Sequence, residues 1–216
     1  MKEGLSMDYS IREEKANAIS HGVGVLLSIA ALVLLIVQAS LHGTIWHIVS
    51  FSIFGAALVI LYTCSTLLHK VSHPRLKDVF ELLDHSAIYL LIAGSYTPYL
   101  LVTLRGPLGW TYFAVIWGLA LVGIVLKIFY VKRFVLVSTL CYILMGWLII
   151  FAFKPLYLNL PLGGIVWLVV GGLFYTFGSI FYVWRRIPYH HAIWHVFVLA
   201  GSACHFFSIF GYVIPA

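Results

Sequence analysis

Two histidines lie one helical turn apart in the apolar stretch "HHAIWHVFVLAGSACHF". The spacing of His191 and His195 puts both imidazoles on one face of a helix, where they can bind the same metal ion. A third histidine, His69, ends another apolar stretch, "CSTLLHK". Three neutral imidazoles with one open position form a zinc site of the catalytic kind. We therefore predict that His69, His191 and His195 bind Zn2+.

Two further polar residues close to these histidines could carry out chemistry. Asp84, in "FELLDHSAIYL", could take a proton from a water molecule and return it to a leaving group. Ser65, one turn before His69, could orient that ligand or donate to a developing oxyanion. Plainer roles exist as well, because an aspartate can favour a helix start and a serine can bond a carbonyl one turn earlier. We predict catalytic roles for Asp84 and Ser65.

Three other histidines are predicted to lie outside the metal site. His205 follows His195 by about 15 Å along a helix, too far to share a metal, so we expect it to bond a neighbouring helix. His85 and His190 adjoin candidate site residues but are expected to point elsewhere.

The composition is that of a polytopic membrane protein. Of the 216 residues 62% are hydrophobic and 9% are charged, and the mean hydropathy is +1.04. The basic residues stand singly between apolar runs, where they suit lipid headgroups better than nucleic acid, so we exclude nucleic acid as a partner. Cys64, Cys141 and Cys204 are odd in number and widely spaced, which favours packing roles.

The spaces between charged residues predict seven membrane spans, because each crossing needs about 20 apolar residues. Two spans fit between Ala16 and His69, with a turn at 39–47. The other five lie in the ranges His85–Leu104, Pro107–Leu126, Phe134–Phe153, Pro155–Trp184 and Ile187–Ala216. We predict an all-α, seven-helix transmembrane bundle that forms a single domain, 1–216. Its N-terminal segment, 1–18, is expected to be cytoplasmic, and the oligomeric state stays open.

The basic residues also predict the orientation of the bundle. With a cytoplasmic N-terminus, eleven Lys and Arg residues fall inside and only Arg105 and Lys154 fall outside. The C-terminus then lies outside. The end of the second span and the starts of the third and seventh spans meet at one level, so the zinc site is expected near the cytoplasmic face. The inside residues are Lys2, Arg12, Lys15, Lys70, Arg75, Lys77, Lys127, Lys132, Arg133, Arg185 and Arg186.

These motifs together resemble the haemolysin III family, bacterial relatives of the progestin and adipoQ receptors. The resemblance covers nearly the whole chain and implies seven helices, a cytoplasmic N-terminus and a zinc ion held by His69, His191 and His195. It also implies that Asp84 acts through a zinc-activated water. The motifs that carry it are Glu14-x-x-Asn17-x-x-Ser20-His21, Ser65-x-x-x-His69, Asp84 and His191-x-x-x-His195.

Alkaline ceramidases are more distantly similar, with a comparable set of Ser, His, Asp and His-x-x-x-His residues, which implies hydrolysis of a lipid amide. We predict a multi-pass cell-membrane protein, a zinc-dependent hydrolase acting on a lipid-like amide or ester, with membrane lipid as its partner. The alternative is a membrane-lytic haemolysin or a receptor-like protein with a structural zinc. A fourth protein ligand, such as Asp84 or His21, would favour that alternative. His21 and Glu14 could instead form an ordinary polar helix start.

Overall fold

The computed structural model describes residues 9–214, and these residues form a bundle of helices. Within this described part, seven helical segments are long and apolar enough to cross a membrane, as the sequence predicts. Residues 1–8 of the predicted segment 1–18, and Pro215 and Ala216 of the predicted range Ile187–Ala216, lie outside the described residues. The seven segments are Ile11–His42, Ile45–Lys70, Pro74–Thr103, Pro107–Tyr130, Val135–Asn159, Leu162–Val183 and His190–Tyr212.

Two of the spans are not continuous α-helices. A π-helical turn, Tyr99–Thr103, extends the third span after Pro98, and a 3-10 segment, Trp147–Ala152, interrupts the fifth. The α-helices are therefore α1 Ile11–His42, α2 Ile45–Lys70, α3 Pro74–Pro98, α4 Pro107–Tyr130, α5 Val135–Gly146, α6 Phe153–Asn159, α7 Leu162–Val183 and α8 His190–Tyr212.

Six of the spans surround a central space. Helix α1 packs against α2 and α8, α2 packs against α3, and α7 packs against α8. Helix α5 contacts α3 and α7 and so closes the ring, whereas α4 packs against α3. The largest fully buried side chains include Tyr62, Tyr99, Phe51 and Phe54, which lie in α2 and the third span.

The starts of α1 and α8 are tied together, and this fixes the end of the bundle that carries the histidines. Ser10 and Glu13 form a capping box at the start of α1. The backbone N–H of Tyr189 donates to Glu13 Oε1 at 3.1 Å. Tyr189 has a φ of +58°, a left-handed conformation that side chains such as tyrosine rarely adopt, and α8 begins directly after it.

Several helix bounds differ from the sequence predictions. Helix α3 begins at Pro74 rather than His85, so Asp84 lies in about the third turn instead of opening the helix. Helix α1 begins at Ile11, so part of the predicted segment 1–18 is helical. The predicted turn at 155–164 is largely helical, since only Leu160 and Pro161 separate α6 from α7. Gaps between charges measure the apolar part of a helix, whereas the helix itself continues beyond it.

Tyr96 stabilises the break in the fifth span. Its hydroxyl lies 3.0 Å from the carbonyl oxygen of Met145 and 2.7 Å from that of Gly146, and it accepts from the N–H of Ile149 at 2.9 Å. A helix break leaves backbone groups without their usual partners, and these need hydrogen bonds inside a membrane. One phenol from α3 supplies them here.

Candidate metal centre

The structure brings His69, His191 and His195 together. Each offers one ligand atom such that the three atoms lie within 4.8 Å of one another, and all three side chains are buried. The ring centre of His69 lies 5.0 Å from that of His191 and 5.2 Å from that of His195. The pair on α8 is 4.5 Å apart. Helices α2 and α8 thus supply three imidazoles, those of His69, His191 and His195, that could hold one metal ion; this group is the histidine triad.

Glu14 fixes the orientation of His69. The Nδ1–H of His69 donates to Glu14 Oε2 at 2.6 Å, and Lys77 Nζ donates to Glu14 Oε1 at 2.6 Å. The Nε2 of His69 is buried and has no hydrogen-bond partner among residues 9–214. A carboxylate on one ring nitrogen makes the opposite nitrogen a better metal ligand. The arrangement therefore presents Nε2 of His69 as a free ligand.

His195 is held in the same manner by helix α1. Its Nδ1 lies 3.2 Å from the carbonyl oxygen of Asn17 and 2.9 Å from Ser20 Oγ. Those contacts occupy Nδ1 and leave Nε2 as the available nitrogen. His191 differs, because its Nδ1 is buried without a partner in the described part of the chain. Unpartnered buried imidazole nitrogens are costly unless a ligand binds them.

His21 and Ser65 form a second polar layer beside the triad. The ring of His21 stacks on that of His195, with centroids 3.4 Å apart and planes inclined by 9°. Its Nδ1 lies 2.6 Å from Ser65 Oγ. The Ser65 hydroxyl also contacts the carboxylate of Asp84. The predicted bond that would orient His69 is therefore not the one observed, since Ser65 orients His21 instead.

A cavity of about 200 Å³ extends from this polar layer into the bundle. His21, Ser65, Asp84, His191 and His195 line one part of it. His69 lies outside the set of described residues that line it. Much of the remaining wall is aliphatic and aromatic, from α2, α3, α5, the 3-10 segment, α7 and α8. The apolar part of this wall includes Leu61, Ile88, Leu91, Ile92, Ile143, Trp147, Ile149, Ile150, Leu168 and Val198.

The side chain of Tyr9, just before the start of α1, lies against the triad. Its ring centre lies 5.2 Å from that of His191 and 6.2 Å from that of His69. Burial raises the pKa of the Tyr9 phenol well above its ordinary value, with a smaller contribution from Tyr182. The phenol therefore stays neutral at physiological pH.

The histidines predicted to lie outside the metal site bond elsewhere, with one exception. His190 Nδ1 lies 3.0 Å from the carbonyl oxygen of Phe181. His85 lines the cavity, and its ring bonds the Glu81 carbonyl at 2.7 Å and the Tyr182 hydroxyl at 3.0 Å. For His205 neither ring nitrogen has a partner of good geometry within residues 9–214, although the Leu168 carbonyl of the neighbouring helix α7 lies near its ring.

Sequence reasoning gave no role to Lys77 and left that of Glu14 open. The pattern of Glu14, Asn17 and Ser20 carries the signal, since spacings of three residues keep all of them near one helix face. Which histidine each would contact depends on how α1 packs against α2 and α8. That packing is not visible in a local pattern.

Comparison with known proteins agrees with this architecture. The family model described as "Haemolysin-III related" matches residues 9–206. Hemolysin-3 of Bacillus cereus is 57% identical over 209 residues, 97% of this chain and 95% of that protein. The hemolysin-3 homolog of Bacillus subtilis (strain 168) is also 57% identical, over 95% of this chain and 97% of its own length. The human monocyte to macrophage differentiation factor is 31% identical over 93% of this chain and 84% of its own. The chain therefore belongs to the haemolysin III family.

Proposed function

We propose that this protein is an integral-membrane zinc-dependent hydrolase that acts on a lipid-like amide or ester. The observation that carries the proposal is the position of a three-histidine group at a deep, largely apolar cavity that also contains a carboxylate, Asp84. Catalytic zinc sites have three protein ligands and an open position, whereas structural sites usually have four protein ligands.

The residues present fit a zinc ion. Nitrogen donors suit zinc, and His69 Nε2 and His191 Nδ1 are buried atoms that lack a hydrogen-bond partner in the described chain. His69, His191 and His195 would hold the ion, with Glu14, Asn17 and Ser20 orienting two of the rings. When bound, zinc supplies Lewis-acid chemistry, lowering the pKa of a water molecule and polarising a carbonyl.

Asp84 is the proposed general base and general acid. A carboxylate oxygen of Asp84 takes a proton from the attacking water and returns it to the departing amine or alcohol. Ser65 bonds His21 and lies near this carboxylate, so it links Asp84 to the histidine layer. The Ser65 hydroxyl is also a candidate donor to the oxyanion that develops on the substrate.

The wall of the cavity supports a lipid-like substrate. Its aliphatic and aromatic side chains suit an acyl chain, because burying apolar surface stabilises binding by about 25 cal/mol per Å². A substrate with its scissile carbonyl near His191 and Asp84 would place its chain along this wall. Membrane lipids carry such a carbonyl next to a long chain.

Replacing Asp84 with alanine tests the proposal. We expect Asp84→Ala to retain zinc, because Asp84 is not in the ligand group, and to lose hydrolysis of lipid amides and esters by at least about 100-fold. Asp78→Ala is the matched control, since Asp78 lies on the same helix, is exposed and pairs with Lys132. Equal turnover in the two variants would contradict the role of Asp84.

Membrane lysis is the second candidate function, favoured by the name of the Bacillus relatives, hemolysin-3. In that case a metal would serve only to tie α2 to α8. Two results together would favour this function over hydrolysis. Purified wild type and Asp84→Ala would lyse red cells equally well, and the wild type would hydrolyse no lipid amide or ester.

A further inference from the structure

His205 lies deep in the cavity, far from the triad. It follows His195 on α8 by about 15 Å, at 1.5 Å per residue. Its side chain lines the cavity and is 8% exposed. Both ring nitrogens lack a hydrogen-bond partner of good geometry among the residues that the structure describes. A buried imidazole without partners is unfavourable in an apolar environment.

Other polar side chains in this region of the cavity are satisfied by the protein itself. The Tyr99 hydroxyl donates to Ser208 Oγ at 2.7 Å. The Tyr175 hydroxyl lies 2.8 Å from Ser202 Oγ. Thr176 Oγ1 donates to the carbonyl of Gly172 at 2.8 Å, and Tyr96 bonds the backbone at the break in the fifth span. His205 therefore differs from these neighbours in having unused hydrogen-bonding capacity.

Helix α7 fixes the ring of His205. A Cβ on Gly171 would lie 2.8 Å from Nε2 of His205, so only glycine lets the ring approach α7 this closely. The rings of Tyr175 and His205 form a T-shaped pair with a centroid distance of 5.3 Å. The Leu168 carbonyl lies near the ring and can accept a hydrogen bond from the N–H of one ring nitrogen. The other nitrogen of a neutral imidazole then remains an acceptor.

We propose that His205 forms a second polar subsite that accepts a hydrogen bond from a hydroxyl group on the chain of a bound amphiphile. The proposal rests on the proposed function in one respect, namely that the amphiphile's head group lies at the triad. The distance of about 15 Å corresponds to roughly twelve bonds of an extended chain between head group and hydroxyl. A keto group at that position can only accept, so it does not satisfy the remaining acceptor nitrogen.

Binding of hydroxylated fatty acids to the purified protein tests this subsite without requiring turnover. The probes are octadecanoate, 12-hydroxyoctadecanoate, 12-oxooctadecanoate and 3-hydroxyoctadecanoate, each measured by displacement of a spin-labelled octadecanoate. We expect the wild type to bind the 12-hydroxy acid about five- to tenfold more tightly than the other three, which is the effect of one buried hydrogen bond. The 3-hydroxy acid controls for the position of the hydroxyl.

Two variants identify His205 as the source of the preference. His205→Leu keeps the approximate volume and should lower the 12-hydroxy preference to about one, while octadecanoate still binds. His205→Gln restores an acceptor and should recover part of the preference. A preference that survives in His205→Leu, or a wild type that binds all four acids equally, would overturn the proposal.

Failure of the His205 subsite can be distinguished from failure of the proposed hydrolase function by comparing the binding preference with hydrolysis. A wild type that prefers the 12-hydroxy acid but hydrolyses no lipid amide or ester would support the subsite and contradict the hydrolase. Hydrolysis dependent on Asp84, with no preference among the four acids, would contradict the subsite alone.

Discussion

In two of the three histidines of the triad, His69 and His195, a contact to Nδ1 leaves Nε2 as the nitrogen that could bind a metal. Glu14 occupies Nδ1 of His69, and the carbonyl of Asn17 occupies Nδ1 of His195. Both contacts come from α1, although the histidines lie on α2 and α8. Helix α1 therefore contributes to the site by orienting ligands, even though none of its residues belongs to the ligand group found among residues 9–214.

Replacing Glu14 with glutamine should weaken zinc binding by about 10- to 100-fold, because the charge that orients and polarises His69 is lost. The measurement is competition for zinc with a chelator of known affinity. Glu13→Gln is the control, since Glu13 lies on the adjacent position but contacts Ser10 and Tyr189. Equal zinc affinities in the two variants would show that the bond between Glu14 and His69 has no influence on the metal.

At the scale of an element, the interrupted fifth span forms an irregular part of the cavity wall. Its 3-10 segment contributes Trp147, Ile149 and Ile150 to the lining. The backbone groups freed by the break depend on the hydroxyl of Tyr96, a residue of another helix. The shape of the cavity thus depends on one side chain that is distant in sequence from the break.

Tyr96→Phe should destabilise the protein by about 1–3 kcal/mol, because it leaves buried backbone groups without partners. The expected readout is a thermal midpoint several degrees lower in detergent, measured by tryptophan fluorescence. Tyr157→Phe provides the comparison, since the Tyr157 side chain is exposed on α6. A midpoint for Tyr96→Phe that matches Tyr157→Phe would contradict this role for the hydroxyl.

The sequence predicts the number of spans because apolar run length is a local property. It predicts neither the start of α3 nor the break after Gly146. Lys77, Asp78 and Glu81 interrupt the apolar run before His85, yet the helix continues through them and uses Lys77 to bind Glu14. Pro155 follows the 3-10 segment by three residues but does not mark its start after Gly146, where the backbone groups bond Tyr96. His191 and His195 could be paired from their spacing, whereas the contacts of Glu14 and His205 arise only from packing between helices.

At the scale of the whole molecule, the distribution of basic residues predicts a cytoplasmic N-terminus. In a background with Cys64, Cys141 and Cys204 replaced by alanine, Arg105→Cys, at an exposed position, should react with a membrane-impermeant maleimide on intact cells. A cysteine at His73 should react only after permeabilisation. These positions flank the two ends of the third span. The reverse labelling pattern would show that the N-terminus lies outside and that the histidine site is at the outer face.

The zinc content of detergent-purified protein, measured by plasma mass spectrometry, tests the central claim most directly. We predict about one zinc per chain in the wild type and in Asp84→Ala, as expected for a site with three histidine ligands. A folded double variant, His191→Ala with His195→Ala, should lose it. A wild type without zinc after resupply, or a double variant that keeps its zinc, would contradict the assignment of the triad as a metal site.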